Sequence, residues 1–155
     1  MIEAGHKAPD FELPTDDGRS IALAALAGKP VVLFFYPKDD TSGCTMEAKD
    51  FTALSPSFAA ANTVVIGISP DSVASHCKFR DKHALAVTLA ADEAKATLQA
   101  YGVWQEKSMY GRKYMGVERT TVLIDRAGRV ARVWHKVKVA GHAAEVLAAV
   151  AALPG

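Results

Sequence analysis

Cysteine is scarce in this chain. Only Cys44 and Cys77 occur among 155 residues. Two thiols cannot build the disulfide framework of a small secreted fold. This usage points to a reducing cytoplasm, where lasting disulfides are rare. A chain of this length also buries roughly 70% of its unfolded surface, so a core forms without covalent staples. Long apolar runs are missing too. The strongest, "VVLFFY" and "VVIGI", fall far short of the ~20 residues of a membrane span. The start, "MIEAGHKAPDFELP", has ionisable groups where a secretory signal would need an apolar stretch. Charge of one sign is missing as well. There are 18 Lys and Arg against 17 Asp and Glu, a net charge of +1. That balance offers no general attraction to nucleic acid or to an anionic membrane. No Gly-rich phosphate loop or dinucleotide fingerprint is present, which speaks against a nucleotide cofactor. His6, His76, His83, His135 and His142 lack the tight spacing of a metal site.

What is present is a soluble globular composition, half hydrophobic and 23% charged, of a length that suits one domain over residues 1–155. "FELPTDDGRSIAL" reads as a hairpin around Asp-Gly. "GKPVVLFFYP" is a strand buried on both faces, and "TVVIGIS" is a second. Helical spacing of Met46, Phe51, Leu54 and Phe58 predicts one helix over 44–61. Pro70 is expected to open another over 70–83. "VTLAAD" is a short strand, and "DEAKATLQAYG" is a helix that Gly102 stops. "RTTVLIDRAGRVARVW" is a second hairpin, followed by a helix over 141–153. Trp104 and Trp134 read as core residues. Parallel strand–helix–strand units followed by an antiparallel pair imply an α/β fold. It has a mixed central sheet, helices on both faces and an N-terminal hairpin. This is the plan of a thioredoxin-like fold.

In that plan Cys44 follows a buried strand and opens a helix. Unpaired first-turn amides and the positive end of the helix dipole favour a thiolate there. A polar turn, "KDDTSG", precedes it, which does not suit a buried structural cysteine. Ionisation alone is a small lever. A free thiol is already about 7% ionised at pH 7.4, so full ionisation gains only about 14-fold. A catalytic site must also hold its target and meet the charge that develops during reaction.

"YPKDDTSGCTMEA" resembles the active-site segment of peroxiredoxins. "GISPDS", "YGVWQEKSMYGRKYMGVERTTVLID" and "KVKV" resemble the peroxiredoxin Q, or bacterioferritin comigratory protein, branch over nearly the whole chain. The resemblance implies a thiol-dependent peroxidase of hydrogen peroxide and organic hydroperoxides, without a cofactor. Cys44 would be the peroxidatic cysteine, oxidised to a sulfenic acid. Thr41 would hydrogen-bond the peroxide and the sulfur. Pro37 would shield the pocket, and Arg119 would supply a fixed cation. The amides of Gly43 and Cys44 would be further donors. A monomer in a bacterial cytoplasm is also implied. Ser42 stands where the branch usually has proline.

Lys49 occupies the position where many members of the branch carry a resolving cysteine. Cys77 is a candidate for that role from the next helix, although the usual position corresponds to about Arg80. The two positions differ by roughly 60° on a helical wheel. Val73, His76 and Phe79 centre the expected buried face and leave Cys77 on its flank. Three fates therefore stand open for the sulfenic acid: a disulfide with Cys77, direct reduction by an external thiol, or a bridge to another chain. Thioredoxin suits the first; glutathione, a glutaredoxin or another small thiol suits the second. Glu47 reads as a capping-box residue facing the first helical turn. The cationic, aromatic segment 107–119 reads as a loop and hairpin beside the site rather than a nucleic-acid surface. Other functions remain open. A dithiol oxidoreductase would need a second cysteine at position 47. A redox sensor or holdase would be oxidised once, without turnover.

Overall fold

The computed structural model describes residues 2–154. The chain opens with strands β1 (Glu12–Pro14) and β2 (Ser20–Ala22), paired antiparallel around the Asp17-Gly18 turn, and a 3-10 turn, Leu23–Leu26. There follow β3 (Val31–Phe35), α1 (Ser42–Ala53), α2 (Ser55–Ala60), β4 (Val64–Ser69), α3 (Val73–His83), β5 (Thr88–Ala91) and α4 (Ala96–Ala100). The chain ends with β6 (Trp104–Met109), β7 (Arg112–Val117), β8 (Thr120–Ile124), β9 (Val130–Trp134) and α5 (His142–Ala151). The central sheet has the order β5-β4-β3-β8-β9. Strands β3, β4 and β5 run parallel, whereas β8 is antiparallel to both β3 and β9. The mixed sheet and the N-terminal hairpin are those expected.

Alternation along β3 feeds two cores. Val31, Leu33 and Phe35 face one side, with Phe11, Leu13, Leu98, Tyr101 and Val117. Val32 and Phe34 face the other, with Phe51, Phe58, Phe79 and Val146 from α1, α2, α3 and α5. Helices therefore cover both faces. Trp104 packs on the first core and Trp134 on the second. Among the described residues no helix is long and apolar enough to cross a membrane.

The helix expected over 44–61 is two helices. Pro56 stands in the first turn of α2 and cannot donate to a continuing helix, so the chain turns at Leu54 (φ −95°, ψ 3°). Helix α1 also begins two residues earlier than expected, which puts Cys44 inside its first turn. Helix α3 starts at Val73 rather than Pro70, because the Ser72 hydroxyl caps it by accepting the Ser75 N–H at 3.1 Å. Helix α4 is shorter than expected and ends before Gly102, whose φ of +73° suits glycine. Strands β6 and β7 form a separate two-stranded sheet.

Candidate active site

The strand register gathers the site. Phe35, at the end of β3, pairs with Thr120, at the start of β8. The loop leaving β3 and the segment entering β8 thus share one end of the sheet. That end receives Pro37, Thr41 and Cys44 from one side and Arg119 from the other. The Arg119 carbonyl accepts the Val137 N–H at 3.0 Å, which steadies the backbone behind its side chain.

Cys44 is only 1% exposed. Arg119 Nη2 donates to its Sγ at 3.2 Å, while Nη1 donates to Glu47 Oε1 at 2.8 Å. One guanidinium therefore bridges the sulfur and a carboxylate one helical turn further on. Gly43 makes room for it: a Cβ there would lie 3.2 Å from Arg119 Nη2. Thr45 N–H bonds back to the Thr41 carbonyl at 2.8 Å. The amides of Gly43 and Cys44 precede that first bond and lack intrahelical acceptors. Thr41 caps the helix with its backbone, and its hydroxyl donates to the Lys38 carbonyl at 2.8 Å. The hydroxyl was expected to bond the sulfur; its proton instead goes to the turn three residues back, and its lone pairs remain as acceptors. Pro37 is half-buried two residues past the end of β3.

Glu47 corrects the capping-box reading. With Thr41 as the cap, Glu47 lies six positions on, too far to reach back to the cap amide. It is 1% exposed, and among the described residues its Oε2 has no hydrogen-bonding partner. Burial raises its pKa to about 7, against the opposing pull of Arg119. Burial also works against the charge of Arg119, but Glu47 and then Cys44 outweigh it, and the Arg119 pKa is raised. Arg119 opens onto a cleft of about 480 Å³ that Lys107, Glu118, Lys136 and Val137 also line. Burial, then the charge of Arg119, lowers the pKa of Lys107. The sequence had a usable signal for Glu47: it shares a helix face with Cys44, Ala48 and Phe51, all buried. For Lys107 no local pattern existed.

Cys77 lies elsewhere. It is half-buried on α3, and its thiol donates to the Asp16 carbonyl at 2.9 Å. Arg80 donates to the same carbonyl at 2.7 Å. Asp39, Asp71 and His76 offer ligand atoms within 4.8 Å of one another. Those atoms are engaged by one another and by Tyr36, Ser69 and Ser75, the pattern of a hydrogen-bonded network.

Residues 4–133 match the AhpC/TSA family. The chain belongs to that family. Within it the chain is a peroxiredoxin of the peroxiredoxin Q, or bacterioferritin comigratory protein, branch. It is 51% identical to a putative peroxiredoxin bcp of Coxiella burnetii, covering 94% of this chain and 97% of that one. It is 49% identical to peroxiredoxin Bcp of Bacillus subtilis, covering 94% and 93% of the two chains. Among solved structures, a bacterioferritin comigratory protein of Xanthomonas campestris superposes with a TM-score of 0.91 at 44% identity. That match covers 97% of this peroxiredoxin and 98% of the other chain, whose structures address alkyl peroxide reduction.

Proposed function

We propose that this peroxiredoxin reduces hydrogen peroxide and organic hydroperoxides with Cys44 as the nucleophile. The observation that carries the reading is the 3.2 Å contact between Arg119 Nη2 and Cys44 Sγ, at the open end of α1. The Cys44 thiolate attacks the terminal peroxide oxygen. The S–O bond forms as the O–O bond breaks, and the electron pair leaves with the distal oxygen. With one proton taken up, the products are a Cys44 sulfenic acid and water or an alcohol. Arg119 and the Gly43 and Cys44 amides meet the negative charge on the leaving oxygen. Thr41, its proton engaged by Lys38, accepts from the peroxide O–H. Pro37 shields the sulfur from bulk water. Glu47 keeps the Arg119 fork turned toward the sulfur.

A second thiol must then act. Cys44 is tied to Arg119, which leads into β8, and Cys77 to Asp16, which pairs with Leu89 of β5. Two strands separate β8 from β5, about 14 Å at the usual spacing. A disulfide tolerates only about 7 Å between Cα atoms. Direct reduction by an external small thiol or glutaredoxin therefore fits the folded arrangement, whereas an internal disulfide recycled by thioredoxin needs local unwinding of α1 or α3 first. The enzyme works as a monomer in the cytoplasm.

The test is to oxidise the reduced protein with one equivalent of peroxide and weigh it. A gain of one oxygen, trapped by dimedone, is expected. A loss of two hydrogens that Cys77→Ser abolishes would instead establish the internal disulfide. Peroxide turnover that survives Cys44→Ser would overturn the reading.

A further inference from the structure

The paired aspartates of "YPKDDTSGC" are not used by this peroxide chemistry. Asp39 is nonetheless buried and fully engaged. Its Oδ1 accepts the Tyr36 phenol at 2.6 Å. Its Oδ2 accepts the Ser75 hydroxyl at 2.7 Å and faces His76 Nδ1 at 2.8 Å. Its N–H donates to Asp71 Oδ2 at 2.8 Å. His76 has no exposed surface, and its Nε2 faces the Ala90 carbonyl at 3.1 Å. Both ring nitrogens thus lie within hydrogen-bonding distance of an oxygen, one on Asp39 and one on the backbone of Ala90. Asp40 reaches the other end of α3, to Lys82 at 2.7 Å and His83 at 2.8 Å. The loop that leads from β3 into α1 is therefore fastened to both ends of α3.

The two fastenings are unequal. The Asp40 pairs are exposed to solvent, where such contacts contribute little. The Asp39 bonds to Tyr36 and His76 are buried and that to Ser75 is part-buried, so they cost more to leave unmade. Burial and then Asp39 raise the Tyr36 pKa well above the ordinary range, which keeps the phenol a donor. Asp39 also lies two residues before Thr41, the cap of the helix that carries the sulfur.

We propose that Asp39 is a positioning residue for Cys44: through Tyr36, Ser75 and His76 it holds the loop so that the sulfur stays buried against Arg119. The proposal rests on the peroxidase reading for its catalytic consequence, whereas the exposure of the sulfur is testable without peroxide. A merely structural role would lower stability and leave the native-state chemistry of Cys44 unchanged. A positioning role moves two rates in opposite directions.

The experiment uses the full chain in a Cys77→Ser background. It compares the parent with Tyr36→Phe, Ser75→Ala, Asp39→Asn and Asp40→Asn. Rapid mixing with hydrogen peroxide gives the attack rate. Iodoacetamide, without peroxide, gives the rate at which the buried thiol becomes accessible. Tyr36→Phe and Ser75→Ala are each expected to slow peroxide attack about tenfold and to speed alkylation by a similar factor. Asp40→Asn is expected to change either rate about twofold at most. The proposal is overturned if both rates stay at the parent value, if they move together, or if Asp40→Asn matches the Asp39 set. Should Asp39→Asn fail to fold, the two single-bond variants decide. A parent that ignores peroxide but shows the alkylation pattern would sink the peroxidase reading and leave the hold on the loop standing.

Discussion

Glu47 links the site to pH. Below about pH 4.5, its reference value, the carboxyl is neutral in both folded and unfolded chains. Between that value and about 7, the unfolded chain releases the proton and the native protein keeps it. The native state then binds more protons, so stability falls as pH rises through this window. A shift of this size corresponds to about 3 kcal/mol. Glu47→Gln should remove that slope, and urea unfolding at about pH 5 and about pH 8 measures it. Arg119 separates rate from stability. Its removal takes the cation away from the sulfur, and Glu47 relieves its own burial by holding a proton. Arg119→Ala should slow peroxide attack about 100-fold while shifting the melting temperature far less. Stopped-flow and thermal melts on the same samples compare the two.

Secondary-structure elements carry different constraints. The Ser72 cap is local, and Ser72→Ala should cost about 1 kcal/mol by urea unfolding without altering the attack rate. Gly67 is constrained from across the sheet. On β4 it pairs with Phe34, and a Cβ there would lie 2.6 Å from Phe34 Cζ and 3.1 Å from Leu89 Cδ2. Phe34 is wedged in turn against Phe51, with ring centroids 4.8 Å apart. Gly67→Ala should therefore cost about 1–3 kcal/mol, read as a lower urea midpoint. Buried strands β3, β4 and β8 were legible because uninterrupted β-branched and aromatic runs suit strands covered on both faces. The break between α1 and α2 was less so. Apolar spacing continues across Pro56, and only the missing N–H ends the helix.

At the level of the complete molecule, the sheet decides which distant segments meet. Strands β3 and β4 are parallel, so the loop after β3 and the segment after β4 leave the same end of the sheet. Asp71 thereby reaches the amide of Asp39, and the first turn of α3 reaches its carboxylate. Asp16 protects the opposite flank. It exchanges hydrogen bonds with Leu89 of the edge strand β5, its Oδ1 accepting the Leu89 N–H at 3.0 Å. Such cover suppresses edge-to-edge association. Asp16→Ala should cost about 2 kcal/mol and speed hydrogen exchange over Thr88–Ala91, as read by mass spectrometry.

The chain order was enough to place a thiol after a buried strand at the mouth of a helix, because strand burial, capping and turn chemistry act over a few residues. It was also enough to lay out the mixed sheet and to single out Arg119 by resemblance. It did not reveal that Glu47 shares the guanidinium of Arg119, that Asp39 answers to His76, or that the Cys77 thiol is held by Asp16. Those partners lie 72, 37 and 61 positions apart. No periodicity or cap spans such distances. Strand register and the exclusion of water bring these groups together, and a buried charge or donor must take whatever partner folding sets beside it.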